Sequence, residues 1–205
     1  MNMLENLRRS ERGVSFGRTL KTQAIILGGF VLLIWLLEII DWLILKGSLD
    51  ALGVRPRTLV GLRGILFMPF LHGSFGHVLA NTIPFLILGW LVMLGGISQF
   101  FTVVAVTIAV SGLGVWLFGS SNSVHIGASG LIFGFFGFLI TKAYFERSLP
   151  SIILAIFVFV LYGGLLLGAF PQRGGISWQG HLFGFIGGAL SAYMLTTSRW
   201  RRNPT

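Results

Sequence analysis

Two residues in the sequence have the chemistry of a nucleophile and its general base. Ser129 lies in the sequence GASG at residues 127–130, and His181 lies in the sequence GHLFG at residues 180–184. A serine hydroxyl becomes nucleophilic when a neighbouring base accepts its proton, and histidine is the commonest such base. None of the six acidic residues lies near His181 in the sequence. The pattern therefore predicts a Ser–His dyad rather than a triad that includes a carboxylate.

A second group of residues offers hydrogen-bond donors, and it consists of His72, His77 and Asn81. Acyl transfer requires donors for the carbonyl oxygen, which gains negative charge in the transition state. His77 and Asn81 are four residues apart and share one face of a helix. We expect them to act with the free N–H groups of the helix that Ser129 begins. His72 is interpreted as a residue that hydrogen-bonds the preceding loop to the bundle.

The same residues have a purely structural interpretation. Gly, Ala and Ser let membrane helices pack closely, and a histidine can link two helices through a hydrogen bond. Glycines recur every four residues in two predicted helices, at Gly130 and Gly134 and at Gly180, Gly184 and Gly188. Two such stripes would bring the helix backbones together, and Ser129 and His181 with them. Close packing therefore serves both interpretations.

Composition identifies the class of protein that holds these residues. The chain has 205 residues, of which 54% are hydrophobic and only 10% are charged, and its mean hydropathy is +0.86. This composition excludes a water-soluble globule and a disordered chain. The absence of cysteine excludes a disulfide-stapled module. The net charge of +9 is explained by orientation signals and contact with anionic lipid, so we expect no nucleic-acid partner.

Six apolar stretches are long enough to cross a bilayer, which takes about 20 residues each. They lie at residues 23–45, 78–95, 97–118, 129–145, 150–170 and 179–197. The connection at 46–76 is long and half apolar. The sequence therefore predicts an all-α integral membrane protein, a six-transmembrane-helix bundle with a long membrane-associated loop 1. The predicted organisation is a basic cytoplasmic segment at 1–22, one membrane domain at 23–197 and a basic cytoplasmic tail at 198–205.

The sequence predicts a multi-pass protein of the cell membrane, and the distribution of charge predicts how its bundle is oriented there. Ten Lys and Arg residues lie on the side of the two termini, and five lie on the other side. The positive-inside rule then places both termini in the cytoplasm. Ser129, His181 and the pair His77 and Asn81 all fall at the outer ends of even-numbered spans. Glu38 and Asp41, three residues apart in the first span, are expected to pair with a basic or polar group inside the bundle.

The order and spacing of these motifs resemble the rhomboid intramembrane serine proteases over residues 60–202. The resemblance implies that Ser129 is the nucleophile and His181 the general base. His77, Asn81 and the Ser129 N–H would form the oxyanion hole. Structural roles near the site would fall to His72, Gly127, Gly130 and Gly184. Phe133, one turn after Ser129, is a departure from the family pattern, and we expect its ring to pack against His181. Rhomboids cleave transmembrane protein substrates near the outer end of a membrane segment, without a metal or another cofactor.

Three other functions are open to the sequence. A non-catalytic rhomboid-like binder of membrane proteins would use the same fold, but it would have no need to keep both Ser129 and His181. A haem or metal carrier would use the four histidines, including His125, which has no other assigned task. None of them shows a metal-binding spacing. A channel would need a polar stripe through the depth of the bundle, and the sequence shows none.

Overall fold

The computed structural model describes the backbone of residues 3–171 and 177–202 and the side chains of residues 17–171 and 177–197. Within these residues the chain is helical, and its extended pairing is limited to an isolated antiparallel bridge between Val54 and His125. In chain order the α-helices are α1 (Met3–Ile40), α2 (Leu59–Leu62), α3 (Gly64–Phe67), α4 (Phe75–Met93), α5 (Ile97–Phe118), α6 (Ser129–Glu146), α7 (Leu149–Tyr162) and α8 (Trp178–Arg202). The predicted all-α class is therefore confirmed for the described chain.

Four helical stretches are long and apolar enough to cross a membrane. They are Gly17–Leu45, Phe75–Met93, Ile97–Phe118 and Leu149–Ala169. These stretches coincide with the first, second, third and fifth predicted spans, and a π-helical turn at Asp41–Leu45 ends the first one. The first stretch begins before the predicted residue 23, because α1 continues without a break from Met3. The last stretch is α7 followed by a 3₁₀ segment, Gly163–Ala169.

Helices α6 and α8 form at the two other predicted positions, and α6 is the centre of the bundle. Every residue from Gly130 to Leu139 is buried, so this part of α6 is enclosed on all sides by other parts of the protein. It packs most extensively along α8, and α8 packs next most extensively along α5. The tail predicted at 198–205 continues α8 as far as Arg202, and residues 203–205 lie outside the described chain.

Glycines allow α6 and α8 to approach each other backbone to backbone. A Cβ atom on Gly184 would collide with the carbonyl oxygen of Gly130. One turn further along, a Cβ on Gly188 would collide with the carbonyl of Gly134. Small residues are what permit such contacts between membrane helices. The first of these contacts lies one turn or less from Ser129 and His181, so it helps to set their separation.

The rest of the core is aromatic and joins α6 to the N-terminal half of the bundle. The Phe85 ring lies 4.4 Å from the Phe30 ring and 5.6 Å from the Phe135 ring, measured between centroids. The Phe100 ring lies 5.5 Å from Phe135. Stacked and tilted ring pairs at these distances add to the energy of burial itself. They fix α1, α4 and α5 against the central helix.

Loop 1, between the first and second predicted spans, is well structured and is held to the end of α5. The backbone N–H of Arg57 donates to the carbonyl of Trp116 at 3.0 Å, and the Trp116 indole donates to the carbonyl of Thr58 at 2.8 Å. Apolar side chains of α2 and α3 point outward, and Leu59 is 85% exposed. An outward apolar surface of this kind fits contact with lipid.

Candidate active site

Ser129 is the first residue of α6, and the turn before it depends on Gly127. Gly127 has a φ of +114°, a conformation that residues with a side chain rarely adopt. A Cβ at this position would also lie 2.8 Å from the imidazole of His77. The N–H of Gly127 donates to the carbonyl of Met68 at 2.8 Å, which ties the turn to loop 1. Glycine at 127 thus lets the chain bring Ser129 next to His77.

The structure brings Ser129 and His181 into direct contact although they are 52 residues apart. The Oγ of Ser129 lies 2.9 Å from Nε2 of His181. On the other side of the ring, Nδ1 lies 2.9 Å from the carbonyl oxygen of Gly168. A carbonyl can only accept, so Nδ1 carries the proton and Nε2 is free to accept from the serine hydroxyl. This is the tautomer that a general base for Ser129 requires.

Gly168 was not found from the sequence, because a backbone carbonyl has no signature in residue type. It lies in the 3₁₀ segment after α7 and takes the place that a carboxylate occupies in a triad. A Cβ on Gly168 would lie 3.0 Å from the Phe133 ring and 3.2 Å from Nδ1 of His181. The glycine therefore lets the backbone come close enough to accept the hydrogen bond.

The His181 ring is also held by an aromatic neighbour. Phe133 lies one turn after Ser129 on α6, and its ring is stacked on the imidazole with centroids 4.1 Å apart and planes 6° apart. His181 is 8% exposed. Stacking on one face and hydrogen bonds at both nitrogens leave the ring little freedom to rotate. The arrangement holds a base in one orientation without a charged partner.

His77 and Asn81 lie on α4 and face the same cavity as Ser129 and His181. The cavity has a volume of about 550 Å³ and a largely apolar wall that includes Pro84. Ser74 caps α4 by accepting from the His77 N–H at 3.2 Å, which fixes the start of the helix. The Asn81 amide donates one hydrogen to the His77 carbonyl at 3.1 Å. Asn81 also lines the cavity, and its amide carries a second hydrogen beyond the one given to His77.

His72 lies behind the cavity and supports the turn that carries Ser129. Its Nε2 accepts from the N–H of Ala128 at 3.3 Å, and its ring meets that of His77 edge to face, with centroids 4.8 Å apart. Burial, reinforced by His77, lowers the pKa of His72 to about 3. The ring is therefore neutral at physiological pH and can act as the acceptor that Ala128 needs.

Glu38 of α1 and Asp41 of the π-helical turn that follows it do not line this cavity. Asp41 accepts from the backbone N–H of Leu49 in loop 1 at 2.9 Å, so its partner is a polar group of the loop. Glu38 lies near Asp41 and Asp50, and all three line a small cavity with His72. In the part of the chain that the structure describes, no group of three or more His, Cys, Asp or Glu residues is arranged to hold a metal ion.

His125 gains a place in the site that the sequence did not assign. It lines the main cavity, and its ring lies between two serines, with Nε2 2.7 Å from Ser123 Oγ and Nδ1 2.6 Å from Ser177 Oγ. Three of the four histidines that a metal carrier would use, His72, His125 and His181, are thus hydrogen-bonded to other protein atoms.

Comparison with known proteins agrees with the geometry. The Rhomboid domain matches residues 61–198. An uncharacterized protein of Mycobacterium tuberculosis is 47% identical over 176 residues, which cover 82% of this chain and 72% of the relative. An uncharacterized protein of Mycobacterium leprae is 44% identical over 175 residues, 82% of this chain and 69% of the relative.

A more distant relative carries a functional name. The protein of Bacillus subtilis named "Putative rhomboid protease YdcA" is 30% identical over 133 residues, which cover 64% of this chain and 66% of that protein. The domain match spans more than half of the chain, and it includes Ser129, His181, His77 and Asn81. The resemblance seen in the sequence is thereby confirmed, and the chain belongs to the rhomboid family.

Proposed function

We propose that this protein is an intramembrane serine endopeptidase that cleaves membrane-anchored proteins near the outer end of a transmembrane segment. The observation that carries the proposal is the contact of Ser129 Oγ with His181 Nε2 at 2.9 Å. The hydrogen bond from Nδ1 to Gly168 supports it, because it leaves Nε2 unprotonated and ready to accept.

The reaction follows from the positions of these groups. Nε2 of His181 takes the hydroxyl proton as Ser129 Oγ attacks the carbonyl carbon of the scissile peptide. The carbonyl oxygen becomes an oxyanion, for which His77, Asn81 and the Ser129 N–H are the proposed donors. The tetrahedral intermediate then expels the amine, which leaves with the proton from Nε2. Water hydrolyses the resulting ester by the reverse sequence of proton transfers, which frees Ser129.

The bundle supplies a setting for this chemistry within a bilayer. We place six spans across the membrane: the four apolar stretches, α6 at the centre of the bundle, and α8 packed along α6 and α5. Both termini would be cytoplasmic, and the cavity at Ser129 would open toward the outer face. The apolar wall of the cavity fits a segment that unfolds from a transmembrane helix, and water reaches the site from the outer side.

Labelling with a fluorophosphonate probe tests the proposal without a known substrate. The probe reacts with a serine hydroxyl only when the residue is activated, so wild-type protein should be labelled and Ser129→Ala should not. His181→Ala should also lose labelling, because the base is gone. Ser191→Ala is the matched control, since Ser191 is buried on α8 and donates to its own helix, at the Gly187 carbonyl. Absence of labelling in folded wild-type protein would favour a non-catalytic binder instead.

A further inference from the structure

His125 stands at the centre of a chain of hydrogen bonds whose direction can be worked out. Ser123 Oγ donates to the carbonyl of Ser120 at 2.7 Å, so toward His125 it can only accept, and Nε2 carries the proton. Nδ1 is then an acceptor, and Ser177 Oγ donates to it at 2.6 Å. Burial lowers the pKa of His125, which favours this neutral form of the ring. Each of these hydrogen bonds thus runs in one defined direction.

At one end of this hydrogen-bond network lies the N-terminus of α8. Ser177 is the N-cap of that helix: its Oγ accepts from the N–H of Gly180 at 3.3 Å, and its carbonyl accepts from the N–H of His181 at 3.2 Å. With its hydroxyl hydrogen directed to His125, Ser177 is held in a single orientation. The first turn of α8, which carries His181, is therefore anchored to His125.

At the other end of this hydrogen-bond network lies the segment that leads to Ser129. His125 is four residues before Ser129, and its backbone pairs with Val54 through two hydrogen bonds of 3.0 Å. A Cβ on Gly119 would lie 2.9 Å from Nε2 of His125, so the ring is enclosed on that side as well. One buried residue, 8% exposed, thus joins loop 1, the Ser129 segment and the start of α8.

We infer that His125 is a positioning residue, which acts through Ser177 to hold His181 at hydrogen-bonding distance from Ser129. This inference rests on the proposed function, because it assigns His125 a part in the same reaction. The bond that matters is the one from Ser177 to Nδ1. The bond to Ser123 only sets the tautomer and braces the loop. A displacement of His181 by about 1 Å is enough to lower the rate about a hundredfold.

Two substitutions separate the bonds of the ring. In His125→Asn, the amide of the shorter side chain would occupy the place of Nδ1 and still accept from Ser177. The longer amide in His125→Gln would occupy the place of Nε2 and reach Ser123 instead. We expect kcat on a transmembrane reporter substrate to fall about tenfold to a hundredfold in His125→Gln and in Ser177→Ala, with little change in KM. His125→Asn should keep kcat within about threefold of wild type.

Ser148→Ala is the matched control for helix capping. Ser148 caps α7 by accepting from the N–H of Ser151 at 3.3 Å, the same distance as in the Ser177 cap, but no histidine follows it. Its loss should lower the melting temperature as much as Ser177→Ala does and leave kcat unchanged. The double variant His125→Gln with Ser177→Ala should be no slower than either single variant, because both break one bond.

The outcomes separate this inference from the proposed function. Full kcat in His125→Gln, or equal losses in the Asn and Gln variants, would overturn the role of Nδ1. A loss of kcat in Ser148→Ala equal to that in Ser177→Ala would overturn it too, since general destabilisation would then explain both. A folded wild-type protein that is neither labelled by a fluorophosphonate nor active would overturn the proposed function, and this inference with it.

Discussion

At the scale of single residues, the candidate site depends on backbone groups as much as on side chains. His181, the proposed base, is oriented by the carbonyl of Gly168, and the turn before Ser129 is held by His72 and by the Met68 carbonyl. Uncharged partners of this kind suit a site inside a membrane protein, where an isolated carboxylate would be costly to bury.

The nucleophile and its base should act as one unit. We expect Ser129→Ala and His181→Ala each to abolish cleavage of a reporter substrate, and the double variant to be no worse than either single one. Each substitution alone removes the same proton transfer, so the losses do not add. Rates measured in detergent micelles check this prediction. Appreciable cleavage by the Ser129→Ala protein would contradict it.

Asn81 should matter in the transition state rather than in binding. Removal of one oxyanion donor costs about 10²–10³ in rate in well-studied cases. Here His77 and the Ser129 N–H remain, so we expect Asn81→Ala to lower kcat about tenfold to a hundredfold and to change KM little. Steady-state kinetics and a melting curve for the variant provide the measurement. A loss of activity that only follows a loss of folded protein would argue against the donor role.

Asp50 in loop 1 makes stability depend on pH. Burial and the neighbouring Asp41 raise the pKa of Asp50 from 3.8 to about 6, and its Oδ1 is buried without a hydrogen-bond partner among the described residues. The folded state binds the proton more tightly than the unfolded chain does. The free energy of unfolding therefore falls as the pH rises from about 4 to about 6.

Asp50→Asn should remove this penalty. Because Asp50 is only partly buried, we expect a gain of about 1 kcal/mol, or a rise of roughly 2–4 °C in melting temperature, at pH 7.5. The gain should shrink as the pH is lowered from 6 to 4 and vanish below about pH 4. Thermal unfolding in detergent across this range measures it. An equal gain at every pH would mean that ionisation of Asp50 is not its cause.

At the scale of helices, contact between the backbones of α6 and α8 decides where the candidate residues meet. The glycines spaced four residues apart in the sequence form the predicted helix contact. Gly184 faces the Gly130 carbonyl, and Gly188 faces the Gly134 carbonyl. Ser129 and His181 lie at the ends of these two helices nearest the first contact. Any change in helix separation is therefore transmitted to the distance between them.

Gly188→Ala should damage the protein far more than a glycine substitution elsewhere. The new methyl group would collide with the Gly134 carbonyl and with the Phe138 N, and neither backbone can yield without moving a helix. We expect a loss of roughly 1–3 kcal/mol in stability and reduced fluorophosphonate labelling. Melting curves provide the measurement, with Gly29→Ala as control, because nothing lies within 4 Å of a Cβ there. Equal stability in the two variants would contradict the tight contact.

Across the whole protein, the helices differ in how much apolar surface they expose. Four stretches are apolar enough to cross on their own, whereas α6 is buried in the centre. A helix enclosed by others needs little hydrophobicity toward lipid, because its surroundings are protein. In the proposed six-span topology, this burial lets α6 cross the membrane although its sequence is less apolar than the four long stretches.

The proposed topology predicts opposite results for two reporter fusions. A reporter that is active only in the cytoplasm should work when it is fused after Thr205, since both termini are placed inside by the 10-to-5 distribution of Lys and Arg. The same reporter fused after Gly119, at the outer end of α5, should be silent. The two activities, measured at equal expression, are the test. The reverse pattern would place the cavity at Ser129 on the cytoplasmic side.

The helices and the residue types of the candidate site could be predicted from local features of the sequence. Runs of about 20 apolar residues and the polar breaks between them are local features, so α5, from Ile97 to Phe118, begins and ends where the pattern predicts. The family was also readable, because its motifs combine residue type with spacing. A local sequence pattern does not show which backbone atoms contact residues that are distant in the chain.

The contacts that hold His181 could not be predicted, because they join segments far apart in the chain. The Gly168 carbonyl lies 13 residues before it, and the Ser177 hydroxyl is fixed by a histidine 52 residues from that serine. A carbonyl is present in every residue, and serine is common in loops, so neither leaves a pattern to recognise. These contacts arise only after the glycine faces of α6 and α8 have packed, because packing fixes the distances over which a hydrogen bond can form.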